Sequence, residues 1–465
     1  MLFSSITVLY YFLPAILILY FAVPFKFKNA VLLAFSLFFY AWGGVKYAGL
    51  MVLAIIMGYV AGLLIEKFRG QAISKVIMII AVVAIISLML YFKYTEFFIE
   101  NFNKATGLSI PLLRIVLPIG ISFYTFQIIS YVIDVYRGEK AQKNPINLAA
   151  YVSMFPQLIA GPIVRYVDVA RELEHRTHSV EMAAAGVRRF ILGLAKKVLI
   201  ANSMYDISEI VYAAENKTVL FYWMYGISVA LYIYFDFSGY SDMAIGLGKI
   251  FGFNFLENFN YPFISKSATE FWRRWHMSLG TWFRDYLYIP LGGNRVKTGR
   301  WIINTLIVWA LTGFWHGASW NFIAWGLYFA LFLMLEKFFL GKHLKKAVVL
   351  SHIYVAVVML ISFVIFNGTD MRESFAYIGA MFGMGDVPFV FDEFVYYMRS
   401  YGLLIVAALF GATPAVKTIV EKAKGHKSME KIINLLEPAV LLVLLVTVTA
   451  FLVDGSFNPF LYFRF

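Results

Sequence analysis

The sequence predicts an all-α polytopic membrane protein, because its apolar content is too high for a water-soluble fold. Apolar residues make up 61% of the 465 residues, and charged residues only 14%, whereas soluble domains hold roughly 45–50% apolar residues. Several charge-free runs approach or exceed the length of about 20 residues that crosses a hydrocarbon core. We therefore expect about ten to thirteen membrane-embedded helices, including re-entrant or interfacial ones.

The apolar runs divide the chain into three stretches, which we expect to form one integral membrane domain over residues 1–465. Residues 1–136 hold simple spans, at 2–25, 30–45, 47–65, 76–92 and 115–133. Residues 341–465 hold three more, at 347–369, 400–416 and 438–453. The core, residues 137–340, contains the spans 218–235 and 301–335, and the second of these is long enough for two passes that turn near Gly317.

Glycine, proline and charge interrupt the helical patterns between residues 137 and 300. Irregular backbone near a membrane is tolerated only where protein buries it or where it lines a water-filled cavity, so we expect short re-entrant or interfacial helices around a cavity. Residues 183–201 predict an amphipathic interfacial helix with Arg188, Arg189, Lys196 and Lys197 on one face. We interpret the polar run Asp236–Asp242 as a buried hydrogen-bond network that breaks a helix, with a metal site or a proton relay as the alternative.

The net charge of +13 fits a membrane protein without a nucleic-acid partner. Basic residues cluster in short loops at alternate helix ends, as the positive-inside rule describes, which favours an outside N-terminus and the lipid bilayer as the partner of the chain. The sequence contains no cysteine, so disulfides, thiolate metal ligands and a cysteine-bound acyl intermediate are excluded. We predict no metal site and no permanently bound cofactor.

His316 is the strongest candidate for a reactive residue. It lies in the motif Trp315–Trp320, within a run of residues 301–335 that holds no Asp, Glu, Lys or Arg. An ionisable group at membrane depth is costly and marks a functional site, and imidazole is the side chain best suited to move a proton near neutral pH. We predict His316 as a general base, with Trp315, Trp320 and Asn321 as hydrogen-bond donors to an oxyanion. The alternative is a structural histidine that satisfies a carbonyl at a tight turn.

A second histidine, His276, follows a helix-compatible segment rich in tryptophan and arginine. On a helix, Trp272 and His276 would share a face with Arg273. Guanidinium groups chelate phosphate, so this face suits an anionic, phosphate-bearing donor, and the alternative is an aromatic and basic anchor at the lipid headgroups. The predicted donor or tunnel residues also include Arg274, Trp275, Arg284 and Asp285, and the last two are expected to form a buried pair or to hold the helix.

Six motifs, in their order along the chain, resemble those of the membrane-bound O-acyltransferase family, and within it the alginate O-acetylase branch. They are Leu117–Gln127, Phe155–Arg165, Asp236–Ala244, Phe271–His276, Trp282–Arg295 and Trp315–Trp320. The resemblance implies a helical protein thinned at its centre, with a tunnel or funnel that joins the two membrane faces. It implies that His316 is the catalytic residue and that His276 is the second histidine of the active site.

The same resemblance implies an acetyltransferase of a bacterial inner membrane. Acetyl-CoA or an acyl carrier would be the cytoplasmic donor, and the acetyl group would modify an extracytoplasmic polysaccharide such as alginate. The implied partners are an SGNH-type acetyltransferase and a polysaccharide synthesis complex. The competing hypotheses are a transporter or flippase in which histidines relay protons, disfavoured by the lack of symmetric halves, and a non-catalytic scaffold.

Overall fold

The computed structural model describes residues 3–455, and within this range the chain is helical and contains no β-strand. The fold class predicted from the sequence is therefore confirmed. The first eleven helices are α1 (Leu13–Ala22), α2 (Phe25–Ala41), α3 (Val45–Lys67), α4 (Ala72–Thr106), α5 (Ile121–Arg137), α6 (Pro145–Ser153), α7 (Phe155–Leu158), α8 (Tyr166–Glu174), α9 (Val180–Ala195), α10 (Asn202–Ala213) and α11 (Val219–Ile250).

The remaining helices carry the two histidine motifs and the C-terminal spans. They are α12 (Ala268–Trp272), α13 (Met277–Phe283), α14 (Thr298–His316), α15 (Trp320–Leu335), α16 (Gly341–Leu344), α17 (Val348–Asn367), α18 (Met371–Met381), α19 (Asp392–Gly411), α20 (Ala415–Lys424) and α21 (Lys427–Asp454). Wider π-helical turns occur at Val8–Phe12, Lys196–Ala201, Arg284–Tyr288 and Glu336–Leu340, and a 3₁₀ turn at Pro262–Ile264.

Seven helical segments of residues 3–455 are long and apolar enough to cross a membrane. They are α3, α4, α11, the segment Trp320–Leu344, α17, α19 and α21. A shorter apolar helix covers Val8–Ala22. The larger number expected from the sequence included re-entrant and interfacial helices, and the central tunnel stays a prediction.

Two predicted features, one in the N-terminal stretch and one in the core, differ in the structure. The span 115–133 is helical only from Ile121, because Pro118 and Gly120 precede the helix and Gly120 has φ 75°. The run Asp236–Asp242 does not break a helix, since α11 continues through it as far as Ile250. Most other helices between residues 137 and 300 are short, as predicted, and α12 holds only five residues.

The chain forms two compact units that interleave along the sequence. Of the described residues, the first unit contains those up to Phe190 with Tyr240–Glu257 and Arg284–Tyr286. The second contains Ile191–Gly239, Asn258–Phe283 and the described residues from Leu287 onward. Within the first unit, the buried guanidinium of Arg176 donates to the hydroxyl of Tyr20 at 2.9 Å and to Oδ1 of Asn29 at 2.7 Å. The organisation as one domain stays a prediction.

The second unit has an aromatic core that contains residues of the first histidine motif and of α15. Its buried members include Phe271, Trp275, Phe322 and Trp325. Helices α14 and α15 form an antiparallel hairpin that turns at Gly317, which confirms the predicted turn.

Two glycines allow the helices of this hairpin to approach closely. A Cβ atom at Gly313 would lie 2.1 Å from the carbonyl oxygen of Phe322, and one at Gly326 would lie 2.1 Å from that of Trp309. Small residues permit this backbone contact in membrane helices. The close contact fixes His316, the last residue of α14, against α15.

Candidate active site

His316 lies at the C-terminal end of α14, where three aromatic side chains surround its half-buried ring. The centroid of the His316 ring lies 4.8 Å from that of Trp315, 5.1 Å from that of Trp325 and 5.3 Å from that of Phe366. The three pairs have edge-to-face geometry, which aromatic rings favour. Aromatic rings therefore cover part of the imidazole, and the rest of its surface is open; the role of His316 as a general base stays a prediction.

His276 lies in a turn between α12 and α13, and not on a continuous helix. Helix α12 ends at Trp272, and His276 has φ 43°, a left-handed conformation that is uncommon for residues other than glycine. The backbone of this turn bonds to the preceding loop, because Asn260 N–H donates to the Arg274 carbonyl at 2.9 Å and Met277 N–H donates to the Asn258 carbonyl at 2.9 Å. The predicted helical face that joins Trp272, Arg273 and His276 is therefore wrong.

The His276 side chain is almost fully enclosed, with 2% of its surface exposed. Its Nδ1 lies 3.1 Å from Oδ1 of Asn258, and its buried Nε2 has no hydrogen-bond partner among residues 3–455. His276 lies outside the seven apolar spans, and burial lowers its pKa to about 3 because an imidazolium loses its solvation there. The ring is neutral at physiological pH.

The indole ring of Trp315 lies between the two histidines. The ring centroids of His276 and Trp315 are 6.2 Å apart, and those of Trp315 and His316 are 4.8 Å apart. Phe237 of α11 covers His276 at 4.7 Å. The two histidines predicted from separate motifs thus share one aromatic enclosure in the second unit.

Two further predicted tryptophans extend this enclosure. Trp272 contacts Trp325 at 5.5 Å and Trp309 at 4.8 Å. Trp275 stacks on Phe271 at 5.4 Å. The indole Nε1 atoms of Trp272 and Trp325 are buried and have no hydrogen-bond partner among the described residues, so both can donate to a bound ligand.

The two arginines of the first histidine motif have different environments. Arg274 forms an ion pair with Glu270 at 2.9 Å and donates to the Asn260 carbonyl at 3.2 Å, so it stabilises the turn. Arg273 is exposed, and it forms no ion pair within the described range. Of the pair, Arg273 is the one available to an external anion.

Arg284 and Asp285 belong to the first unit and form the predicted pair, with Nε 2.7 Å from Oδ1. Arg284 is exposed, so the pair is not fully buried. Asp285 also accepts from Nη1 of Arg165 at 2.6 Å. The histidines lie in the second unit, and the role of Arg284 and Asp285 as donor or tunnel residues stays a prediction.

One of the predicted oxyanion donors already donates a hydrogen bond within the protein. Asn321 Nδ2 donates to the carbonyl oxygen of Gly368 at 2.9 Å, so Asn321 links the start of α15 to the end of α17. We do not retain its amide as an oxyanion donor. Trp320, the first residue of α15, is exposed, and its predicted role as a donor stays a prediction.

The predicted interfacial helix has a different basic face in the structure. Lys197 is buried and forms an ion pair with the buried Asp236, whereas the sequence placed Lys197 on a basic face at the membrane surface. Lys197 belongs to a π-helical segment, Lys196–Ala201, that follows α9, and the opposite charge of Asp236 compensates the buried ammonium. No group of residues that can hold a metal ion occurs in the described part of the chain.

The structure adds four residues that the sequence reasoning missed. Asn258 contacts the His276 ring, Phe237 covers it, and Trp325 and Phe366 contact the His316 ring. An asparagine in a loop and aromatic residues in apolar helices carry no local signal of function. Of these four residues, only Trp325 could have been found from the sequence, because it lies in the same predicted hairpin as His316.

The fold and this site define an integral membrane protein that encloses two histidines around a tryptophan, and sequence comparisons identify its family. Residues 139–368 match the model of the membrane-bound O-acyltransferase family. The chain is 41% identical over 394 residues to the probable alginate O-acetylase AlgI of Azotobacter vinelandii. The matched region covers 83% of this chain and 79% of that protein.

Two other relatives extend the comparison. The probable alginate O-acetylase AlgI of Pseudomonas putida is 36% identical over the full length of both chains. The peptidoglycan O-acetyltransferase of Helicobacter pylori is 33% identical, over 83% of this chain and 81% of that protein. The chain belongs to the membrane-bound O-acyltransferase family and is an O-acyltransferase.

Proposed function

We propose that this protein transfers an acetyl group from a cytoplasmic donor, acetyl-CoA, across a bacterial inner membrane for O-acetylation of an extracytoplasmic polysaccharide such as alginate. The observation that carries the proposal is the pair of histidines on either side of the Trp315 ring, with centroid distances of 6.2 Å and 4.8 Å. The printed names of the relatives, alginate O-acetylase and peptidoglycan O-acetyltransferase, support a glycan acceptor.

The chemistry requires a base and a stabilised oxyanion. In the proposed reaction, an acceptor hydroxyl oxygen attacks the thioester carbonyl carbon while His316 takes the hydroxyl proton. The tetrahedral intermediate then breaks its C–S bond, and the CoA thiolate leaves and takes up that proton from His316. The aromatic rings around His316 reduce its contact with water, which strengthens each hydrogen bond to the developing charge.

Trp325 is our candidate for the donor that stabilises the oxyanion. Its ring contacts His316 at 5.1 Å, and its buried indole N–H has no acceptor among residues 3–455. A buried donor without a partner costs about 1–3 kcal/mol. A ligand that accepts from this N–H would recover that free energy, so the position favours a substrate with a carbonyl oxygen.

Arg273 is our candidate for contact with the phosphates of the donor. Its guanidinium is exposed two residues before Trp275, whereas Arg274 is committed to Glu270. We propose an SGNH-type acetyltransferase and a polysaccharide synthesis complex as partners, because the alginate O-acetylase branch implies both.

Release of CoA by the purified protein tests the proposed function. Wild-type protein, incubated in lipid vesicles with radiolabelled acetyl-CoA and alginate oligosaccharide, should release CoA, and His316→Ala should not. His426→Ala is the matched control, because His426 is exposed at the start of α21. Equal CoA release by wild type and His316→Ala would refute the role of His316.

The transporter hypothesis makes a different prediction in the same assay. A protein that carries an intact solute by a histidine proton relay should neither release CoA nor transfer the label. A non-catalytic scaffold should also be inactive, and in cells it should tolerate the loss of both histidines. The acetyl content of the cell-surface polysaccharide in a His316→Ala strain distinguishes the scaffold from the enzyme.

A further inference from the structure

Three atoms of the neighbouring residues lie within hydrogen-bond distance of one atom, the side-chain oxygen of Asn258. Its Oδ1 lies 3.3 Å from the backbone nitrogen of Ser278, 2.9 Å from the Ser278 hydroxyl and 3.1 Å from Nδ1 of His276. The Asn258 side chain is buried, with 1% of its surface exposed. A buried polar network in which every group has a hydrogen-bond partner holds its side chains in a single arrangement.

These contacts determine which nitrogen of His276 carries the proton. A backbone N–H can only donate, so the atom of Asn258 that faces the nitrogen of Ser278 must be the amide oxygen and not the amide nitrogen. That oxygen can only accept. Nδ1 of His276 must therefore be the protonated nitrogen, and in the neutral ring Nε2 carries a lone pair.

Nε2 is the atom that this arrangement presents to the enclosure. It is buried, and it has no hydrogen-bond donor among residues 3–455. The backbone of His276 has a left-handed conformation, with φ 43°. Strained backbone of this kind persists only where the surrounding structure determines it, and it is concentrated at functional sites.

We propose that Asn258 is a positioning residue that holds His276 as the Nδ1–H tautomer, so that Nε2 accepts a hydrogen bond from a hydroxyl or amide N–H of the bound substrates. The inference rests on the proposed acyl transfer and extends it, because it gives His276 a role distinct from that of His316. A substrate donor would satisfy a buried acceptor that the protein itself leaves open.

The charged groups near His276 leave this assignment intact. Burial is the cause of its lowered pKa. On the neighbouring elements, His316 lies across the Trp315 ring, and Lys197 and Asp236, beside Phe237, form an ion pair in which opposite charges compensate. On its own segment, Arg274 is paired with Glu270, and Arg273 is exposed.

Substitutions at Asn258 test the inference through the rate and its pH dependence. Asn258→Ala removes the acceptor, and we expect kcat/KM for CoA release from acetyl-CoA to fall about tenfold, because His276 then no longer holds the tautomer that accepts a hydrogen bond from the bound substrates. Asn258→Asp keeps an acceptor for all three donors, so activity should be retained. The carboxylate also stabilises the imidazolium, which raises the pKa of His276 and moves the acidic limb of the pH–rate profile to higher pH.

Ser278→Ala is the matched control, because it removes one donor to Oδ1 and leaves the bond to His276. We expect a wild-type pH profile for it. A purely structural role for Asn258 predicts that Asn258→Asp has an unshifted profile or is as inactive as Asn258→Ala, and either result would overturn the inference. Wild-type activity of Asn258→Ala would overturn it as well. If Asn258→Ala does not fold, the aspartate variant decides alone.

Two measurements separate this inference from the proposed function. Nitrogen NMR of protein labelled at histidine, with the His276 signals assigned by their loss in His276→Ala, should show a protonated Nδ1 and a bare Nε2 in the resting protein. The opposite tautomer would refute the inference whatever the activity. If wild-type protein releases no CoA, the proposed function fails, whereas CoA release with an unshifted Asn258→Asp profile removes only the role of Asn258.

Discussion

The two histidines of the second unit differ in how the chain holds them. His316 ends a long helix, is half buried and is surrounded by the rings of Trp315, Trp325 and Phe366. His276 lies in a strained turn, is 2% exposed and is held through Nδ1 by Asn258. Aromatic rings restrict where an imidazole lies but leave its protons undefined, whereas a hydrogen-bond acceptor selects the tautomer.

This difference suggests a division of labour within one enclosure. His316 keeps more freedom to exchange a proton, which suits a general base. His276 is neutral, because burial lowers its pKa to about 3, and its fixed lone pair suits the orientation of a substrate. The largest expected effects in this protein therefore come from the histidines, and smaller ones from the residues that serve each of them.

Removal of either histidine should have the largest effect. We expect His276→Ala and His316→Ala each to lower kcat for CoA release by about 10² to 10⁴. If the two act as one unit, the double variant should be no slower than the slower single variant, because residues of one catalytic unit are not additive. Steady-state kinetics in lipid vesicles measure this. Multiplicative effects would show that the two histidines act independently.

Trp325→Phe tests the enclosure on the His316 side. Phenylalanine keeps an aromatic ring beside His316 and removes the indole N–H, so we expect kcat to fall about 10²-fold if that N–H stabilises the oxyanion. Trp309→Phe is the control, because Trp309 lies in the same cluster and contacts Trp272 and Phe329. Equal rates for the two variants would exclude Trp325 as the donor.

Glu336→Ala tests how the start of α12, the helix that precedes the His276 turn, is held in place. The buried carboxylate of Glu336 accepts from the backbone nitrogen of Thr269 at 2.9 Å and from the Tyr354 hydroxyl at 3.1 Å, and it also binds the first residue of α12. Loss of the carboxylate leaves these donors unsatisfied, so we expect a loss of about 2 kcal/mol in the free energy of unfolding. Thermal unfolding in detergent measures it.

Glu336→Gln provides the control for this prediction. The amide keeps one acceptor oxygen, so its loss of stability should be smaller than that of Glu336→Ala. An alanine variant as stable as wild type would mean that water replaces the carboxylate.

The smallest expected effect distinguishes the two arginines that precede His276. Arg273→Ala should raise KM for acetyl-CoA by about threefold to tenfold with kcat unchanged, because an exposed phosphate contact contributes about 1 kcal/mol. Arg274→Ala should instead lower the melting temperature, since it breaks the pair with Glu270. An unchanged KM in Arg273→Ala would place the donor phosphates elsewhere.

Local sequence features predicted the elements whose stability depends on burial of apolar surface in a membrane. The spans at 47–65 and 347–369 match α3 and α17 within a few residues, and the hairpin turns at Gly317 as expected. The sequence also singled out His316, because an ionisable residue beside tryptophans in an apolar run is unusual in a membrane protein, and His276, because it follows a segment rich in tryptophan and arginine. The catalytic roles of both histidines stay predictions.

The sequence by itself therefore determined the helical membrane fold and the turn of the α14–α15 hairpin, because hydropathy and helical period act over a few residues. It also singled out the two histidines as candidate site residues. Only the tertiary structure decided the conformation of His276, the burial of Lys197 and the continuity of α11 through Asp236. The physical reason is that each depends on a partner distant in the chain: Asn258, 18 residues from His276, and the opposite charge of the Lys197–Asp236 pair. A polar group buried in an apolar medium takes the conformation that satisfies it, whatever the local helical pattern favours.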